Sequence, residues 1–276
     1  MLLFGVLNFP AVYAADHPNL TDTQKQWLGQ QIFNNECASQ LNCLTSWNPG
    51  EDFPSLGIGH FIWYRENQND IFEESFPALM RHFESEGISI PAWIIASNYD
   101  SPWQNREEFI SDFADSELAD LRNLLSATMS VQTAFIIQRF ESALQKMLTV
   151  TPLEKRNDIE IKFYAVANSN PPYGIYALID YVNFKGEGIA INEQYAQQGW
   201  GLLQVLENMS LTGPDILENY VASAKAILQN RVQNAPEERN EARWLAGWFK
   251  RLDTYLPVQL QVQASGSQTP LMPSSP

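Results

Sequence analysis

Between Asn34 and Tyr64 the chain concentrates the side chains best suited to chemistry. A lone Glu36 stands between Asn35 and Cys37, followed by Cys43, the acidic pair Glu51 and Asp52, and the run Ser55-Leu56-Gly57-Ile58-Gly59-His60. A carboxyl with a raised pKa can hold and pass a proton near neutral pH, and a second carboxylate or hydroxyl nearby can orient a water. Whether Glu36 is such a group depends on the element that carries it. Thr21 or Asp22 caps a helix running to about Glu36, with Leu28 and Ile32 on one face. Glu36 then sits near a helix C-terminus, where the macrodipole opposes negative charge and pushes the carboxyl pKa upward. From Phe53 to Tyr64, Leu56, Ile58, His60 and Ile62 alternate with Gly57, Gly59, Phe61 and Trp63. That is the period of a strand, and the glycines leave one face bare for a ligand or a second backbone. Cys37 and Cys43 are close enough to close a small ring beside Glu36 in an oxidising compartment. Taken alone, Asn48 to Asp52 is an ordinary solvated turn.

The remaining elements are helical. Mixed patterns over Phe72 to Ile95 and Arg106 to Met129 are interrupted by Pro77, Pro91 and Pro102. Ser130 to Leu148 predicts a core stripe of Thr133, Ile137, Phe140, Leu144 and Leu148, and Tyr176 to Phe184 a further buried segment. Asp215 to Arg231 places Leu217, Val221, Ala224 and Leu228 on one face. Pro236 opens a last helix with Glu237 and Glu238 at its start and Leu245, Trp248 and Leu252 facing inward. Pro257 to Pro276, rich in Gln, Ser and Pro, carries no core pattern and predicts a disordered tail.

Composition bounds the function. The 276 residues, 45% hydrophobic and 12% aromatic, suffice for one large core or two modest ones. With 32 acidic against 17 basic residues the net charge is -15, which repels nucleic acid and anionic lipid and argues against either as a partner. The apolar start MLLFGVLNFPAVYAAD is too short to span a bilayer, and Val12-Tyr13-Ala14 offers small residues for cleavage before Ala15. Residues 1–15 are therefore expected to be a signal peptide, and the protein periplasmic or secreted, with no membrane association once the signal is removed. His17, His60 and His82 lie apart without ligand spacing, so no metal site is expected, nor any cofactor.

A helix-end glutamate followed by Ser-Leu-Gly-Ile-Gly-His resembles the phage-type lysozymes, in which the catalytic acid precedes a β-hairpin carrying Thr-Ile-Gly-Ile-Gly-His. Ala177-Leu178-Ile179-Asp180 with Phe184-Lys185-Gly186-Glu187 looks like that family's central-helix segment. Asn230-Arg231 through Arg243, ending in Asp253-Thr254-Tyr255, looks like its closing helix pair. The order of the three islands agrees, and the whole chain is similar to secreted bacterial members of that superfamily. The resemblance implies an α+β, mainly helical, lysozyme-like domain over 16–256 with a small β-sheet and an added helical region at about 65–172. It also implies a glycoside hydrolase acting on peptidoglycan or a related polysaccharide.

Under that resemblance Glu36 is the general acid and Ser55 stands where the family holds a water-binding threonine. The family's aspartate has no match at its own spacing, so Glu51 or Asp52 serves if the loop is reshaped. His60 matches a structural histidine that is paired with an acid in the family. A second constellation, Glu187 followed by Gly199-Trp200-Gly201-Leu202-Leu203-Gln204, resembles the lytic transglycosylase pattern, with Gly188 where that pattern has serine. There Glu187 is the sole acid/base. The alternative is a helix-ending loop at Lys185 to Gly188 and plain core at Leu202 to Leu206. In either case Glu187, Tyr195, Trp200 and Gln204 are candidates to line a sugar cleft. A catalytically silent wall-binding protein on the same fold is the remaining alternative.

Overall fold

A computed structural model describes residues 20–68, 70, 73–191, 193–213 and 215–257. The expected leader at 1–15 and, Pro257 apart, the expected tail lie outside those residues. The chain is mainly helical with two small antiparallel sheets. Helix α1 (Asp22–Cys37) leads into β1 (Thr45–Ser46), β2 (Ser55–Leu56) and β3 (Phe61–Ile62), which pair in that order. Next come α2 (Phe76–Ser85), α3 (Ala92–Ala96), α4 (Arg106–Ser111), α5 (Ser116–Ala127), α6 (Met129–Glu141), α7 (Ala143–Val150) and α8 (Leu153–Ala167). Helix α9 (Tyr173–Lys185) is followed by the hairpin β4 (Gln194–Tyr195) and β5 (Gln198–Gly199), then α10 (Leu202–Asn208), α11 (Ile216–Asn234) and α12 (Ala242–Asp253).

Local chemistry explains the ends that position the site. Thr21 and Gln24 form a reciprocal capping box at the start of α1, which ends where Ala38 turns left-handed at φ 47°. Asp215 accepts from the backbone of Leu217 and Glu218 at 2.8 and 2.9 Å and so starts α11. Helix α9 buries every residue from Gly174 to Tyr181, the mark of a helix surrounded by core. Its charge at Asp180 must therefore find partners inside the protein.

Three expectations are corrected. Phe53 to Tyr64 is not one strand but a hairpin: Ser55 pairs with Ile62 and Leu56 with Phe61, and the chain reverses through Gly57 (φ 70°) and His60 (φ 47°). The period-two pattern persists through the turn because both sides of it are buried. The glycine face is also not open, since a Cβ on Gly57 would collide with Gln132 of α6 and one on Gly59 would lie 2.7 Å from Phe61. The Gln132 side chain accepts from Ile58 N at 2.9 Å, so the close approach is by this chain's own helix. Second, the stripe over Ser130 to Leu148 breaks at Ser142 into α6 and α7, and Phe135, Ile136 and Met147 are buried where Ile137 and Leu148 are only partly so. Third, Pro236 opens a 3-10 turn (Glu237–Arg239) closed by a left-handed Asn240, and α12 starts only at Ala242.

Helices expected as an addition take part in the central packing. Helix α6 packs on α1 and α9, α8 packs on α9, and the Phe140 and Phe163 rings stack at 5.3 Å. Residues on both sides of position 172 share one hydrophobic cluster. Among the described residues no helix is long and apolar enough to cross a membrane.

Candidate functional site

Three helices converge on Glu36. The last turn of α1 delivers Asn35 and Glu36, α9 delivers Tyr176, Asp180 and Asn183, and the end of α12 delivers Arg251, with Thr254 and Tyr255 just beyond. Asp180 is fully buried and accepts from Arg251 Nε at 2.8 Å, Arg251 Nη2 at 2.9 Å, Tyr255 OH at 2.6 Å and Asn35 Nδ2 at 3.2 Å. The bidentate fork is the geometry that repays burial of both charges. The same Nη2 also donates to Glu36 Oε1, which further accepts from Asn183 Nδ2 at 3.0 Å. Burial opposes the Arg251 charge, but Asp180 and Glu36 outweigh it and raise its pKa. Arg251 thus joins the buried aspartate of the core to the helix-end glutamate at its edge.

The other face of Glu36 meets the hairpin. Glu36 Oε2 lies 3.3 Å from His60 Nδ1, and the Glu36 side chain is only 11% exposed. On the far side of the imidazole, His60 Nε2 is 3.6 Å from Cys43 Sγ. Cys37 and Cys43 are joined in a disulfide with their Cα atoms 5.3 Å apart, so neither sulfur is a free thiolate for a metal. The ring pins the chain directly after Glu36. Glu51 and Ser55 gather at the base of the hairpin. Burial pushes the Glu51 carboxyl above its ordinary range, against the Asn48 amide, the His60 charge and the Ser55 hydroxyl. Asp52 points away: its side chain is exposed, and its backbone carbonyl accepts from Gln68 at 3.0 Å. Of the two acids offered by the sequence, the fold turns only Glu51 toward Ser55 and His60.

A cleft of about 480 Å³ opens between the hairpin, α9 and the β4–β5 loop, lined by His60, Asn183, Lys185, Glu187, Glu193 and Arg239 among others. Glu36 does not line it, but its carboxyl contacts two residues that do, His60 and Asn183. Glu187 is placed by the backbone: Leu202 N and Leu203 N, at the start of α10, donate to the carbonyls of Gly186 and Glu187 at 3.0 Å each. This requires Gly188 (φ 82°) and Gly201 to touch backbone to backbone, and a Cβ on Gly201 would land on Gly188. The loop reading of Lys185 to Gly188 and the core reading of Leu202 to Leu206 describe this region.

Within the cleft Glu187 Oε1 pairs with Lys146 at 3.2 Å, while burial and the Glu187 charge push the neighbouring Glu193 carboxyl upward against Arg231. Tyr195 and Trp200 both line the cleft, with less open surface than their types suggest. Trp200 is 8% exposed, with the Arg231 guanidinium 4.0 Å above its ring and Tyr195 at 4.8 Å, so it is no open sugar platform. Tyr195 donates to Glu241 at 3.0 Å. Gln204 spends its amide internally, accepting from Gly201 N at 2.9 Å and donating to Gly188 O at 3.0 Å. It staples the loop that carries Glu187 and does not line this cleft.

The fold therefore brings together Glu36, His60 and the disulfide, sets Glu51 with Ser55 beside them, and holds Glu187 in the cleft that His60 also lines. It leaves Asp52 outside. Arg251, Asn183, Glu193 and Lys185 were missed by sequence reasoning. Asp180, a charge inside an otherwise apolar run, was the one signal that a buried cation had to exist elsewhere. No family model, curated protein or solved structure matches this chain.

Proposed function

We propose that the protein is a lysozyme-like glycoside hydrolase acting on a peptidoglycan-like glycan, with Glu36 as general acid. The observation that carries this is the setting of Glu36: a carboxyl 11% exposed directly behind two cleft-lining residues, its Oε1 fixed by Arg251 and Asn183 and its Oε2 turned toward His60. A group that must deliver a proton to one glycosidic oxygen has to be held within a few tenths of an ångström. Two donors on Oε1 and the imidazole beside Oε2 fix the carboxyl from both sides. Glu51 and Ser55 supply the carboxyl and hydroxyl that orient water, and His60 lies between them and the acid. Turnover of purified peptidoglycan with release of new reducing ends supports the proposal. Strand binding without any cleavage would instead make the protein a wall-binding member of the same fold.

One observation favours a second reading. Glu187 and Glu193 both line the cleft, and Glu193 is raised by burial and by the charge of Glu187. Two carboxyls whose surroundings drive them apart are a common acid/base arrangement. Anhydro-sugar products would move the acid from Glu36 to this pair and make the enzyme a lytic transglycosylase.

A further inference from the structure

Lys185 ends α9 and lines the cleft, with its Nζ 3.9 Å from the centre of the Phe184 ring and 3.8 Å from that of Trp248. Two guanidiniums share those rings: Arg251 lies 4.2 Å from Phe184 and Arg231 5.2 Å from Trp248. Each guanidinium has its own carboxylates. Arg231 grips Glu241 through two bonds of 2.8 and 2.9 Å, and Arg251 holds Asp180 and Glu36. Among the described residues no carboxylate lies within 4.0 Å of Lys185, although it packs beside two guanidiniums that each have one. We infer that the cleft takes a glycan whose sugars bear a free carboxylate, and that Lys185, between Phe184 and Trp248, is the residue that receives that carboxylate.

The inference rests on the glycan reading above and adds the charge of the ligand to it. An amine packed between aromatic rings beside two fixed cations gains most from an incoming anion, because that anion meets a positive field and has one donor with no competing partner. The charges facing Lys185 come from every neighbouring element: Arg231 from α11, Glu241 and Arg251 from the α12 region, and Glu36 from α1, with Glu187 and Glu193 elsewhere in the cleft. Burial, then Arg231 and Arg251, push the amine down to about 6, while Glu241 and Glu36 act in the other direction. Binding of a carboxylate is therefore coupled to uptake of a proton, and affinity falls as pH rises above 6.

The test is a binding titration of the full chain in a Glu36→Gln background that prevents cleavage. One ligand is peptidoglycan strands stripped of stem peptide, which carry a free lactyl carboxylate. A second is the same strands with that carboxylate capped as a methylamide, and a third is oligogalacturonate, whose carboxylate is on the ring. At pH 6 the free-acid strands should bind roughly 10- to 100-fold more tightly than the capped ones, the range of one charge-assisted bond. By pH 8 this preference should shrink by up to roughly fifty-fold, because only the protonated amine binds. Lys185→Met should bind free and capped strands equally, and a circular dichroism spectrum matching that of its parent shows the variant to be folded. Lys185→Arg should keep the preference and lose its pH dependence. If oligogalacturonate binds more weakly to Lys185→Met than to its parent while free and capped strands bind equally, the carboxylate is a ring uronate and the role of Lys185 stands. Equal binding of free and capped strands together with oligogalacturonate binding that Lys185→Met leaves unchanged, or a preference that survives Lys185→Met, overturns the inference and leaves the glycan reading intact. Failure of every strand to bind removes the glycan reading and this inference with it.

Discussion

Replacing Arg251 by Gln strips Asp180 of two hydrogen bonds and of the one guanidinium that pairs with it among the described residues, within the buried stretch of α9. Breaking a buried pair by deleting one partner costs about 3–5 kcal/mol, since the surviving charge stays desolvated. Tyr255 and Asn35 still donate to Asp180 at 2.6 and 3.2 Å, so the lower end of that range, about 3 kcal/mol, is expected. Asp180→Asn alone leaves Arg251 with Glu36 as its remaining carboxylate and should cost a similar amount. In the double variant an amide faces an amide and no unpaired charge remains between them. Its loss should fall well short of the sum, with a coupling of about 2 kcal/mol. Urea unfolding of the four proteins measures this cycle directly. Additivity within about 0.5 kcal/mol would show that Arg251 and Asp180 do not act as a pair, and would refute the derivation of the site from their contact.

Other perturbations probe the neighbouring parts. Reducing the Cys37–Cys43 ring, with its sequence separation of 6, should cost about 2 kcal/mol by the loop-entropy relation, read as a shift in unfolding midpoint with and without reductant. An unchanged midpoint would show that the ring does not constrain the unfolded chain. Gly201→Ala drives a methyl into the Gly188 backbone and should destabilise by about 1–3 kcal/mol while displacing Glu187. Gly247→Ala, on the open side of α12 with nothing near its Cβ, should be neutral or slightly stabilising. Lys185, pushed down to about 6 from an ordinary 10.5, binds a proton in the unfolded chain but not in the folded one between those values. Its contribution makes stability rise with pH across that window, by less than the ceiling of about 1.4 kcal/mol per pH unit because the amine is partly solvated. Lys185→Met should flatten the stability profile between pH 6.5 and 8.5, and an unaltered slope would contradict the assignment.

Much of the helical frame was legible because its signals are local. Thr21 with Gln24, Asp215 ahead of Leu217, and the apolar stripe of α11 each act within one or two turns, and the structure uses all of them. The hairpin was misread as a strand because alternation says which residues are buried, not whether the chain turns. Only the backbone angles at Gly57 and His60 carry that information. The site was half legible. Glu36, Ser55, His60 and the cysteines fall within one short segment, so their meeting needed little of the fold. Arg251 meets Glu36 across a separation of 215 residues, and no short-range pattern marks one arginine of α12 over another. The choice between Glu51 and Asp52 was likewise beyond the sequence, since adjacent residues in a loop differ only by how the turn aims them. For Gln204 residue type misled, since its amide is committed to this chain's own backbone, whereas Tyr195 and Trp200 line the cleft as their types suggest, Trp200 beneath Arg231.

The most direct test of the central claim is the rate of peptidoglycan cleavage by the wild-type protein, Glu36→Gln and Glu187→Gln, with products identified by mass. Glu36→Gln keeps the shape and the Asn183 contact while removing the proton, so it should lower turnover by roughly two to four orders of magnitude. Glu187→Gln should retain most of the activity, and the wild-type products should be new reducing ends. Full activity in Glu36→Gln together with its loss in Glu187→Gln would contradict the assignment of Glu36 as the acid.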